Sequence, residues 1–121
     1  MNSLTLAYIG DAIYELYIRK YLISKNIVKI NDLQKEAIKY VSAKAQCNFI
    51  NKLIENNILT EEEIDVYKRA RNHKQNHKPK STDIVTYKCA TGLEAIIGYL
   101  YLNNKKDRID VIMKYIEGEV C

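Results

Sequence analysis

A chain of 121 residues, 47% of them hydrophobic, with a net charge of +4, has the size and composition of one compact domain, residues 1–121. Its longest uncharged runs are ten residues, against the ~20 needed to span a bilayer, so no membrane partner is expected. Four glycines and one proline leave too little turn chemistry for a many-stranded sheet, and the composition predicts an all-α fold. Cys47, Cys89 and Cys121 form no CxxC pair, which points to reduced thiols in a cytoplasmic protein rather than a disulfide framework or a zinc site. No basic start followed by an apolar core and a cleavage site marks the chain for secretion.

Five helices are predicted. Residues 4–24 form the first, with Leu6, Ile9, Ile13 and Leu16 at helical spacing. Only Asp11 and Glu15 are charged between Leu4 and Ile18, so this helix reads as buried nearly all round. Gly10 costs a helix interior ~1 kcal/mol relative to alanine, and its use is to let another backbone or a ligand come close. The second helix runs from Asn31, which forms a capping-box pattern with Gln34, to about Glu55, with Leu33, Ala37, Val41, Ala45, Phe49 and Leu53 at spacing four. Asn56-Asn57 ends it, since asparagine tolerates the left-handed conformation. Thr60 and the three acids behind it start a short helix that reaches Arg71. A basic, polar loop around Pro79 follows. Ser81 or Thr82 caps the fourth helix, which carries Asp83 in its first turn and ends at Asn103-Asn104. Residues 106–117 form a last amphipathic helix with Ile109, Ile112, Met113 and Ile116 inward.

The fourth helix repeats the anomaly of the first. From Cys89 to Leu102 its one charge is Glu94. A carboxylate on a buried helix must be hydrogen-bonded, paired or bound to a cation. Each acid alone is accounted for by a bond to a partner helix or an arginine. Two such acids converging in one cavity call for a cation, and hard oxygen ligands suit Mg²⁺ or Mn²⁺. Glu15, one turn past Asp11 on the same face, either supports such a site or pairs with Arg19 or Lys88.

Charge is unevenly placed. Seven basic residues (Lys68, Arg69, Arg71, Lys74, Lys78, Lys80 and Lys88) fall between residues 68 and 88 against one acid, Asp83. That concentration points to a polyanion partner, and arginines favour bidentate phosphate contacts; a solvated charged loop is the other reading. His73 and His77 lack the further ligands a zinc site needs. Tyr8, Tyr14, Tyr17, Tyr21, Tyr99 and Tyr101 sit in helical apolar patterns, where packing accounts for them better than base stacking does.

Two of these stretches resemble a known family. Tyr8-Ile9-Gly10-Asp11-Ala12 is similar to the signature helix of ribonuclease III, whose aspartate binds metal. Leu93-Glu94-Ala95-Ile96-Ile97-Gly98, with Tyr101-Leu102, resembles that family's later helix, whose glutamate is another metal ligand. The chain departs from the larger family at Ala7 and Thr91, where further acids stand. Those departures match a bacterial branch, the Mini-ribonuclease III enzymes. That branch is also similar at Val41-Ser42-Ala43-Lys44, Arg69-Ala70-Arg71-Asn72, Pro79-Lys80 with Asp83, Tyr87-Lys88 and Ala90-Thr91-Gly92.

The resemblance implies a single all-helical endonuclease domain, homodimeric, without a double-stranded-RNA-binding domain. It implies Mg²⁺-dependent cleavage of double-stranded RNA, with Mn²⁺ as a substitute, leaving 5′-phosphate and 3′-hydroxyl ends. Asp11 and Glu94 would be the catalytic metal ligands and Glu15 a supporting group. Arg69, Arg71, Asn72, Lys74, Lys78, Lys80 and Lys88 would contact RNA. The branch's task is maturing the ends of 23S ribosomal RNA precursor, in the context of the large ribosomal subunit or one of its proteins. The competing expectation is a catalytically inactive RNA-binding or ribosome-associated relative, for which Ala7 and Thr91 are the argument.

Overall fold

The structure is a computed structural model that describes residues 1–74 and 83–120. Lys78, Lys80, His77, the proposed caps Ser81 and Thr82, and Cys121 lie outside the described residues. Six helices are present: α1 (Ser3–Ser24), α2 (Ile30–Val41), α3 (Ala43–Glu55), α4 (Glu61–Arg71), α5 (Ile84–Leu102) and α6 (Lys106–Glu119). No strand occurs among the described residues, and none of their helices is long and apolar enough to cross a membrane.

The expected second helix is two. Ser42 takes an extended conformation (φ −63°, ψ 152°) and its hydroxyl accepts from the Ala45 N–H at 3.2 Å, capping α3. Its own N–H donates to the Ile38 carbonyl and closes α2. Apolar spacing of four passes straight through a one-residue break, so periodicity could not reveal it. Asn31 is not a cap either. Lys29 occupies that position and makes no side-chain capping bond. At α5 the cap is Asp83 itself, whose carboxylate accepts from the Thr86 N–H at 2.8 Å. Three helix ends use asparagines at positive φ: Asn26 (65°), Asn57 (56°) and Asn104 (59°).

Helix α5 is the hub. It packs on α1, α3, α4 and α6, and Leu93, Ala95, Ile96 and Ile97 are wholly buried. Helix α1 is not buried all round. Leu6, Ala7, Gly10, Tyr14, Ile18 and Leu22 face the core, while Tyr8, Leu16 and Ile23 face solvent. Tyr14 meets the packing role predicted for it and donates to the Tyr40 carbonyl at 2.6 Å. Tyr17 and Tyr21 reach α6, donating to Asp110 Oδ1 and the Glu117 carbonyl. Tyr8 and Tyr101 remain exposed within the chain.

Two cross-links brace the bundle. At α4 the Thr60–Glu63 capping box forms as predicted. Its Glu63 is also buried against Arg108 of α6, which donates from Nε at 2.8 Å and from Nη2 at 2.7 Å, while Nη2 also reaches the Ile58 carbonyl. Between α3 and α5 the expectation of separate thiols fails. Cys47 and Cys89 are joined as a disulfide, with Cα atoms 5.2 Å apart. They stand 42 residues apart in the chain, and only the crossing of the two helices brings them together.

Candidate active site

The site begins with a backbone contact. A Cβ on Gly10 would fall 1.7 Å from the Glu94 carbonyl oxygen and 2.8 Å from the Gly98 nitrogen. One on Gly98 would fall 1.9 Å from the Leu6 carbonyl oxygen. Two glycines therefore let α1 and α5 touch main chain to main chain, which is the close approach that Gly10 suggested. Asp11 and Glu94, each beside this contact, are carried together by it.

Glu94 is half-buried in the middle of α5 and Asp11 is exposed on α1. Glu94's proton affinity is pushed up to about 9, first by burial, then by the Asp11 carboxylate, to which the protonated Glu94 donates a hydrogen bond. Glu15 adds to the push, and a hydrogen bond from the Gln46 side-chain amide opposes it. Tyr14 is driven in the same direction by burial and by Glu94. Glu94 thus faces carboxylates and, among the described residues, no cation that would offset them. Glu15 pairs with Arg19 at 3.4 Å on the exposed side of α1, and its charge is still felt at Glu94.

Gln46 gave no signal as a site residue. It lies on the inward face of α3 with Phe49, Ile50 and Leu53, and a polar residue in that apolar stripe is the one sequence feature that could have marked it.

The basic residues form a neighbouring region. Arg69, Asn72 and Lys74 are exposed, and Arg71 and Lys88 are half-buried. The Arg71 guanidinium lies over the Tyr67 ring, 5.2 Å from its centroid, and its Nε donates to Asn72 Oδ1 at 3.3 Å. The Tyr67 ring in turn packs against Gly92, where a Cβ would meet it at 2.4 Å. Gly92 lies two residues before Glu94, so the basic end of α4 is docked beside the carboxylate helix. No described contact joins a basic side chain to Asp11 or Glu94.

Ala7 and Thr91, the positions of the missing acids, are enclosed between helices. Thr91 donates its hydroxyl to the Tyr87 carbonyl of its own helix. Among the described residues no group of three or more Asp, Glu, His or Cys side chains is placed to hold a metal. What remains is a carboxylate pair. Mg²⁺ is commonly held by one or two carboxylates with waters completing its shell, so the donor set and its unmet charge fit such an ion.

The chain is similar to proteins of known type over nearly all of its length. The ribonuclease III domain family matches residues 4–105. The Mini-ribonuclease 3 of Clostridium tetani is 50% identical over 117 residues, covering 96% of this chain and 76% of that protein. That of Streptococcus pneumoniae is 44% identical over 115 residues, covering 95% and 90%. A crystal structure of a Fusobacterium nucleatum protein superposes with a TM-score of 0.85 at 41% identity, covering 95% of this chain and 92% of that one. With its carboxylates on the two helices that carry the family motifs, the chain belongs to the ribonuclease III family of endoribonucleases, in company with the Mini-ribonuclease 3 proteins.

Proposed function

We propose that the protein is a divalent-metal-dependent endonuclease for double-stranded RNA, with Asp11 and Glu94 holding Mg²⁺ and Mn²⁺ able to replace it. The observation that carries this reading is the meeting of Asp11 and Glu94 at the Gly10–Gly98 contact, where Glu94 ionises only with difficulty unless positive charge is supplied. A divalent ion held by Asp11 and Glu94 would supply that charge, make bound water a better nucleophile and offset the charge of the scissile phosphate. Asp11 and Glu94 would hold it through their carboxylates, whose helices the Gly10–Gly98 contact keeps against each other. Water oxygen joins phosphorus, the bond to the 3′ oxygen breaks, and 5′-phosphate and 3′-hydroxyl ends result.

Arg69, Arg71, Asn72, Lys74 and Lys88, with Lys78 and Lys80 between them in the chain, are the phosphate-binding residues of this proposal. Their contribution falls steeply with salt. A symmetric homodimer lets two such surfaces face one duplex. Its support is the apolar solvent-facing side of α1, where Tyr8 is 83% and Leu16 54% exposed. Beside Leu16 a groove of about 370 Å³ runs between Ile13, Tyr17, Tyr101 and Ile109. By resemblance, the substrate is 23S ribosomal RNA precursor in the cytoplasm, met on the large ribosomal subunit.

The test is cleavage of a labelled RNA duplex with and without Mg²⁺. Asp11→Asn and Glu94→Gln each lower the cleavage rate by at least a thousandfold while duplex binding survives. A rate equal to wild type in either variant, or undiminished cleavage in excess EDTA, overturns the proposal. Absence of cleavage by wild type with every metal would leave the inactive RNA-binding relative as the better reading.

A further inference from the structure

The Cys47–Cys89 bond takes no part in the carboxylate site, yet it is anchored on the helix that carries Glu94. Its two sulfurs meet their surroundings differently. Cys89 is 4% exposed, whereas Cys47, in the middle of α3, is half-buried. A small thiol or disulfide therefore reaches the pair from the Cys47 end, and access of this kind helps decide which sulfur is attacked. Both oxidation states are provided for. The 5.2 Å between the Cα atoms lies in the range that a disulfide spans without backbone movement. A thiolate left at Cys89 meets the Tyr67 hydroxyl, which donates to its Sγ at 3.5 Å. One left at Cys47 meets the Asn51 amide, whose Nδ2 donates to its Sγ at 3.9 Å. Hydrogen bonds to the charged form favour it. The reduced Cys89 thiol also has an acceptor in place, the Cys47 carbonyl at 3.8 Å. Around the pair, Phe49, Ile50 and Leu53 of α3 share one apolar core with Leu93, Ile96 and Ile97 of α5, which holds the two helices together when the bond is open.

We propose that Cys47 and Cys89 are a reversible thiol–disulfide couple, in which Cys47 exchanges with small disulfides of the glutathione class and Cys89 resolves the product. The Cys47 thiolate attacks one sulfur of the small disulfide, whose S–S bond breaks, and one small thiolate leaves. The Cys89 thiolate then attacks the Cys47 sulfur and expels the second small thiolate. The protons given up by the two cysteines end on the two small thiols. The protein is thereby oxidised by two electrons and the small disulfide reduced by two. Reduction runs the same path backwards, entering at Cys47. The closed bond fastens α3 to the helix of Glu94 at the point where Tyr67 brings in α4.

The test exposes fully reduced protein to oxidised glutathione and maps each cysteine by peptide mass spectrometry, which keeps Cys121 apart. Wild type should end with Cys47 joined to Cys89 and glutathione on neither. Cys89→Ser should retain glutathione on Cys47, and about tenfold or more faster than Cys47→Ser takes it up on Cys89, because access differs; in urea the two rates should converge. Oxidised wild type should melt about 10 °C above the reduced protein, and dithiothreitol without denaturant should remove the difference. Cys47→Ser should melt alike in both conditions. Should Cys89→Ser fail to fold, Cys89→Ala traps the same adduct. Labelling of Cys89 as fast as Cys47 in the folded variants overturns the proposal. So does a wild-type bond that dithiothreitol opens only in urea, which is the mark of a permanent brace, and so do wild-type cysteines that stay free or keep glutathione.

Discussion

Glu94 and Glu63 are both withdrawn from water, and their proton affinities move in opposite directions. Burial raises both. At Glu63 the Arg108 guanidinium and the Thr60 N–H outweigh burial and hold the carboxyl below its ordinary range. At Glu94 the nearest charge is another carboxylate, so burial and repulsion act together. Glu63 contributes stability above the ordinary carboxylate pKa and loses it as pH falls through its depressed value. Glu94 does the reverse: between about pH 4.5 and 9 the folded chain retains a proton that the unfolded chain has released, so its share of stability declines as pH rises. Glu94→Gln, which cannot ionise, should therefore raise the stability of the metal-free protein while removing cleavage. A tenfold change in proton affinity is ~1.4 kcal/mol, so a gain of about 1 kcal/mol or more is expected near pH 8, shrinking towards pH 5. Urea unfolding at the two pH values checks it; a destabilised variant at pH 8 would contradict the assignment. Asp11 and Glu94 were legible in the sequence because a single charge in an apolar stretch stands out. Gln46 was not, because one neutral amide among Phe49, Ile50 and Leu53 carries no charge to notice, and its partners lie on two other helices.

The α1–α5 contact is the element that turns two separated motifs into one site. Gly98→Ala puts a methyl group 1.9 Å from the Leu6 carbonyl oxygen and 2.9 Å from Ile9 Cγ2. Neither backbone can yield without the helices separating, so a loss of about 3 kcal/mol is expected, with cleavage falling further than stability alone accounts for. Gly118→Ala is the control. Outside the backbone of its own helix an added Cβ meets nothing within 4 Å, and the change should be neutral or mildly stabilising by the helix-propensity difference of up to ~1 kcal/mol. Thermal melts of the two variants beside wild type decide the matter. Helix existence and most helix ends were readable from caps and asparagines. The division at Ser42 was not, because Val41 and Ala45 keep the apolar phase on both sides of it. Asp83, placed in the first turn from sequence, turned out to be the cap because its carboxylate reaches the Thr86 N–H and hydroxyl.

At the scale of the whole molecule, the first helix was read as buried because its residues are apolar on nearly every side. Within one chain the sides facing α5, α2 and α6 are covered, and Tyr8, Leu16, Tyr101 and Leu102 remain open to solvent. Sequence hydrophobicity does not distinguish burial in a core from burial in an interface, and the proposed homodimer supplies the missing cover. Leu16→Asp should shift the protein to a monomer at micromolar concentration, measured by sedimentation velocity, with little change in the helical signal. A wild type that is already monomeric under those conditions would remove the dimer from the proposal. The basic window was legible as charge alone. The docking of its α4 end on the helix that carries Glu94 depends on Tyr67 seating against Gly92, which pattern and composition do not encode.

The bond between Cys47 and Cys89 has a topological consequence for that same region. Everything from the middle of α3 to the first turns of α5 becomes a covalently closed loop. All of α4 lies inside it, as do the basic residues from Lys68 to Lys88. A protease that cut the main chain anywhere in that loop would release nothing. The two pieces, one bearing Asp11 and Gln46 and the other Glu94, would stay tethered until a reductant parted them.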